Sequence, residues 1–174
     1  MNNKKPIVVN GWVLFMHPLF VRVVEELLQE AKKIKVTQPD AFDSHPKVKL
    51  LAKIINLISD EIPQDPSHTK FNQGNTLGSN HRAWKRAKFG RYRLFFRYHS
   101  KIQKDDVELK VIVFVWLNDE KGLRKEGDKN DPYAVFERML KAGNPPSSFE
   151  ELVQESVNLD LLDKLQEISK QYPE

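Results

Sequence analysis

The sequence predicts an α+β fold, a small antiparallel-rich sheet packed against helices, on three observations. Short runs rich in Val and aromatics alternate like half-buried strands. Two longer stretches repeat apolar residues every three or four positions, as amphipathic helices do. Prolines and glycines punctuate the joins between them. The predicted order is strand, helix, helix, three strands, helix and tail.

Each element follows from its residues. Ile7 to Phe15 (IVVNGWVLF) reads as a strand, with Gly11 at a bulge. His17-Pro18 opens a helix, because proline is preorganised for a first turn; Phe20, Val23, Val24, Leu27, Ala31 and Ile34 form its apolar face. Ser44-His45-Pro46 begins a second helix with a stripe of Val48, Leu51, Ala52, Ile55, Ile58 and Ile62, stopped by Pro63. From Pro63 to Arg82 no period is visible, and a loop that long is usually functional or mobile.

Three strands follow: Trp84 to Phe89, Arg91 to Tyr98 and Val107 to Leu117, with turns at Gly90 and across Ser100 to Asp106. The third, VELKVIVFVWL, is apolar on both faces and reads as a central strand. A polar loop, Asn118 to Asn130, precedes a helix capped by Asp131-Pro132, with Val135, Phe136, Met139 and Leu140 on its face and Gly143 at its end. Ser148 and Glu151 make a capping box for an acidic stretch carrying Leu152, Val153, Val157, Leu161, Leu162, Leu165 and Ile168. The expected division is a core over 1–146 and an acidic helical extension over 147–174.

Composition narrows the chemistry. In 174 residues there is no cysteine, which removes disulfides, thiolate metal sites and cysteine nucleophiles, and suits a reducing, cytoplasmic setting. No apolar run is long enough to span a membrane and no signal peptide is recognisable, so no membrane partner is expected. The net charge of +4 hides a strong partition. Between Pro66 and Lys104 there are ten basic residues and no acid, which leaves the rest of the chain at −6. A basic segment in an acidic body signals a polyanionic partner.

Strand alternation sorts RYRLFFRY into two faces. Tyr92, Leu94, Phe96 and Tyr98 point toward the helices; Arg91, Arg93, Phe95 and Arg97 point away. On the preceding strand Trp84, Arg86 and Lys88 share a face, and Lys85 takes the other. Guanidinium groups around an aromatic suit single-stranded RNA, since arginine grips phosphate and rings stack bases. A solvated basic face, or one that binds an acidic protein segment, would read the same way.

Other constellations are weaker. Five histidines (17, 45, 68, 81 and 99) form no metal-ligand spacing. His17 and His45 each precede a proline at a helix start and read as structural, whereas His81 and His99 lie in the basic segment and can handle protons near neutral pH. Glu108-Leu109-Lys110 matches half of a metal-nuclease signature, but the adjacent strand carries no carboxylate to share the metal. QGNTLGS lacks phosphate-loop spacing.

The segments VNGWVLFMHPLF, GNTLGS…WKRAKFGRYRLFFRY, VIVFVWLNDEKGLR and DPYAVFERML together resemble the YhaV family of bacterial toxins, within the RelE/ParE toxin superfamily, over roughly Val9 to Pro146. The resemblance implies a RelE-like fold and a ribosome-dependent endonuclease of mRNA that needs no metal or cofactor. It also implies neutralisation by a PrlF-like antitoxin of the AbrB swapped-hairpin type, with operator DNA contacted only within the toxin–antitoxin complex. In such chemistry a 2′-OH attacks the adjacent phosphate, so a proton acceptor, positive charge at the phosphorane and a proton donor are all needed. Carried over by position, Arg93 is the phosphate-stabilising residue, with Arg86, Lys88, Arg124 and Tyr133 as further catalytic candidates. Lys85, Arg91, Arg97, His81 and His99 are the RNA-binding candidates. Two rivals stand beside this reading. A non-catalytic toxin of the same fold that blocks gyrase would leave mRNA intact. A plain RNA-binding module would be harmless to growth.

Overall fold

A computed structural model describes residues 6–104 and 106–157. Its centre is a five-stranded sheet of order β1-β2-β5-β4-β3, where β1 is Val8–Val9, β2 Trp12–Met16, β3 Lys85–Phe89, β4 Tyr92–Lys104 and β5 Val107–Leu117. Only the β2–β5 pairing is parallel; the other three are antiparallel. Helices α1 (Pro18–Thr37) and α2 (Pro46–Asn56) follow β2. After α2 comes one wide turn over Leu57–Glu61 and a last turn, α3 (Ile62–Gln64). Helices α4 (Pro132–Lys141) and α5 (Phe149–Glu155) follow β5.

The helices divide between the two faces of the sheet. On one face Phe20, Val24, Leu27 and Ala31 of α1 and Leu51, Ile54 and Ile55 of α2 pack on Leu14, Leu94, Phe96, Ile112 and Phe114. On the other, Phe136 of α4 and Phe149 and Leu152 of α5 pack on Val13, Phe15, Trp84, Phe95, Val111, Val113 and Val115. Strand β5 feeds alternate residues into both cores, as its two-sided apolar sequence predicts.

Three details differ from the sequence expectation. The first strand is a hairpin: Asn10 and Gly11 both take positive φ (49° and 81°), the requirement of a tight two-residue turn, so Gly11 turns the chain instead of bulging it. Strand β4 continues through the expected turn at Ser100, with a bulge between His99 and Ile102. The stretch after Pro63 is anchored, not open: Phe71 and Leu77 are buried, and the Gln73 amide binds Thr76, Leu77 and the His81 carbonyl. The start of the acidic stretch after residue 146 packs on the core. Phe149 and Leu152 are buried in the second core, and Val157 exchanges backbone hydrogen bonds with Met16. Residues 158–174, with Leu161, Leu162, Leu165 and Ile168, lie outside the described residues.

Candidate active site

The site forms where β3, β4, the loop after β5 and the start of α4 converge. Register places Arg93 of β4 opposite Lys88 of β3, and Arg86 opposite Phe95, all on the α4 face. Tyr133, in the first turn of α4, is buried at 6% exposure among them. Its hydroxyl oxygen accepts hydrogen bonds from Arg86 Nε (2.9 Å) and Arg93 Nε (3.1 Å). The Arg124 guanidinium lies 4.9 Å from the centre of the Tyr133 ring and the Arg93 guanidinium 5.9 Å. Three arginines far apart in sequence therefore surround one phenol.

Each is held differently. Arg93 also donates through Nη1 to the carbonyls of Gly90 and Tyr92, and Nη2 makes no hydrogen bond among the described residues. Arg86 is buried, and its Nη1 donates to the Lys70 carbonyl at 2.7 Å. Arg124 is paired with Asp131 at 2.7 Å; that hydrogen-bonded carboxylate pushes the Arg124 guanidinium above its ordinary range. Lys88 is exposed beside Arg93. Like charges facing each other across strands repel, so this pair favours any anion that settles between them.

Beneath the arginines lies a floor of stacked rings. Phe136 is parallel to Phe95 at 4.2 Å and to Trp116 at 5.9 Å, and the Tyr133 ring meets Phe95 edge-on at 5.7 Å. The stack depends on register: Phe95 pairs with Trp116 but Phe96 with Phe114, so Val115 is an extra residue that bulges β5 and turns Trp116 onto this face.

The structure brings together Arg93, Arg86, Lys88, Arg124 and Tyr133. The other candidates are employed elsewhere. Arg91 sits in the turn before β4, so strand alternation does not orient it; its Nε donates to the Arg124 carbonyl. Arg97 is wedged between the rings of Trp84 (5.3 Å) and Phe149 (5.4 Å) and donates to the Ser147 carbonyl, and burial lowers its pKa. Lys85 faces the α1–α2 side and donates to Asn72 Oδ1, with burial lowering its pKa as well. His99 lies six residues from Arg93 along β4, about 20 Å at strand rise, and its Nδ1 accepts the Lys101 N–H. His81 ends a short 3-10 turn at Ser79–His81, with its carbonyl bound by Gln73. Phe95, expected to present its ring to a base, is fully buried under α4.

Two residues escaped the sequence reading. Asp131 was expected only as a helix cap. Besides accepting the Tyr133 N–H, its carboxylate accepts the Lys125 N–H and Arg124 Nη1. An acid inside an otherwise apolar helix start, seven residues after an arginine, was the available signal. Asn118 is 2% exposed, and nothing in a single sequence distinguishes it from the other polar residues of its loop. Among the described residues, no three His, Asp or Glu side chains are grouped to hold a metal ion.

Comparison with known proteins places this arrangement in a family. Residues 14–157 match the family model Toxin_YhaV, described as a toxin with endonuclease activity, of toxin-antitoxin system. The chain is 42% identical over 151 residues to "Toxin YhaV" of Escherichia coli O6:H1, covering 85% of this chain and 94% of that one. The same figures hold for "Ribonuclease toxin YhaV" of Escherichia coli K12. No solved structure matches significantly. The chain belongs to the YhaV family of toxins, endonucleases that act within toxin–antitoxin systems.

Proposed function

We propose that this toxin cleaves mRNA on the ribosome without a metal ion, with Arg93 at the scissile phosphate. The observation that carries the reading is the convergence of Arg86 and Arg93 on the Tyr133 hydroxyl, with Arg93 Nη2 making no hydrogen bond among the described residues and Lys88 alongside. RNA as substrate is supported by the name of the Escherichia coli K12 relative.

In the proposed reaction the 2′-OH loses its proton and attacks the adjacent phosphorus. The bond from phosphorus to the 5′-oxygen breaks, and that oxygen takes up a proton. The products are a 2′,3′-cyclic phosphate and a 5′-OH. Arg93 and Lys88 supply positive charge where the phosphorane gains negative charge. Arg86, buried and doubly bonded, holds Tyr133 in place, while Arg124 caps the ring. Both Tyr133 and Phe95 are covered, so neither is available to stack a base. That cover supports dependence on the ribosome, which would position the mRNA from outside the toxin.

A toxin of this kind has an antitoxin; the reading extends to a PrlF-like, AbrB-type partner, to operator DNA contact only in that complex, and to a RelE/ParE-like fold working in the cytoplasm. The test is cleavage of a translated mRNA by purified protein, with and without ribosomes in the magnesium that they require, with the ends mapped. Cuts bearing 2′,3′-cyclic phosphate or its hydrolysis product are expected only with ribosomes, and loss of these cuts in Arg93→Ala. Cuts that leave 5′-phosphate and 3′-OH ends, as attack by a metal-activated water gives, or equal cutting of free RNA, would overturn the corresponding part of the reading.

A further inference from the structure

Two arginines of the site, Arg93 and Arg124, are carried by segments that share one buried amide. Asn118 follows the last residue of β5. Its Oδ1 accepts the backbone N–H of Arg93 at 2.8 Å. Its Nδ2 donates to the carbonyls of Arg91 (3.2 Å) and Gly122 (2.8 Å). Only this orientation of the amide satisfies all three partners, since one is a donor and two are acceptors.

The contacts have a geometric meaning. The Asn118 carboxamide continues the β4–β5 ladder by one rung, with a side chain in place of backbone, at the residue that bears the phosphate-binding guanidinium. The same amide holds the loop through Gly122, two residues before Arg124. A reciprocal pair closes the ring: the Arg124 N–H donates to the Arg91 carbonyl at 2.9 Å, and Arg91 Nε donates to the Arg124 carbonyl at 3.1 Å. Gly122 itself has no room to give, because a Cβ there would lie 2.7 Å from the Asn130 carbonyl oxygen.

We infer that Asn118 is a positioning residue for cleavage, setting the separation of Arg93 and Arg124 across Tyr133. This rests on the proposed role of Arg93, and a displacement of about 1 Å at such a group lowers rates on the order of 10²-fold.

The experiment is a double-mutant cycle on single-turnover cleavage of ribosome-bound mRNA, using the full chain and Asn118→Ser in wild-type and Arg93→Lys backgrounds. Arg93→Lys retains a cation, so residual cleavage stays measurable. The expected result is a loss of about 10²-fold in the wild-type background and of about twofold or less beside Arg93→Lys. Equal losses in both backgrounds would mean that Asn118 acts independently of Arg93, and would overturn the inference alone. Wild-type cleavage by Arg93→Lys and Arg93→Ala would remove the proposed role of Arg93 and the inference with it. Asn118→Asp keeps the size and the acceptor but loses both N–H donors; it carries the same cycle if Asn118→Ser does not fold.

Discussion

At the scale of single residues, the site shows how differently cations of one kind can be employed. Arg97 is spent on holding Ser147 and Phe149, Arg86 on holding Tyr133, and Arg93 keeps a donor free. Four of the five histidines do one local job: Nδ1 of His17, His45, His68 and His99 each accepts the N–H two residues on. Asp131 has the heaviest duty. One oxygen of this buried carboxylate pairs with the half-buried Arg124, and the other caps α4. Asp131→Ala is therefore expected to cost about 2–3 kcal/mol of stability, through the lost helix cap and charge-assisted hydrogen bonds, read as a lowered denaturation midpoint. An unchanged midpoint would show that solvent replaces the carboxylate without loss.

At the scale of elements, the sequence made the helix faces, the two-sided central strand and the alternation along β4 legible, because period and burial are local properties. What covers a face is not local. Arg93 and Phe95 lie on the face that alternation assigns them, yet α4 closes over Phe95 through Phe136, a contact between residues 41 positions apart. Asn10-Gly11 carried a readable hairpin signal in its own residues, whereas Asn118 carried none. Alternation gave the face of Arg86, Lys88 and Arg93, which share strand register, and it failed for the RNA-binding candidate Arg91, which sits in a turn.

One joint between elements is sensitive to pH. His17 caps α1, and its Nε2 lies 3.7 Å from Glu155 at the end of α5. Burial holds its pKa below the ordinary 6.5 despite the raising effect of Glu155. The folded state then binds fewer protons than the unfolded state as pH falls through that range, so this contribution is complete above about 6.5 and is lost on acidification. The melting temperature is expected to fall below pH 6.5. His17→Asn, which preserves a capping side chain, is expected to flatten that dependence. An equally steep decline in the variant would place the titration elsewhere.

At the scale of the whole molecule, a sheet buried on both sides needs both helical layers. The described unit extends beyond Pro146, since α5 completes the second core and the family match runs to residue 157. Phe149→Ala is expected to destabilise by about 3–5 kcal/mol and to release the Arg97 guanidinium from its two-ring clamp. A denaturation midpoint within error of wild type would mean that α5 is an ornament of the core.

The parallel pairing of β2 with β5 bears on the order in which a newly made chain can assemble its arginine cluster. Trp12 finds its partner Lys110 only after both α1 and α2 and the β3–β4 hairpin have been synthesised, and Tyr133 joins Arg86 and Arg93 later still. Distant closures of this kind come late in folding because chain entropy opposes them until the intervening structure exists. Translation must therefore run past residue 133 before the cluster of Arg86, Arg93 and Tyr133 can assemble.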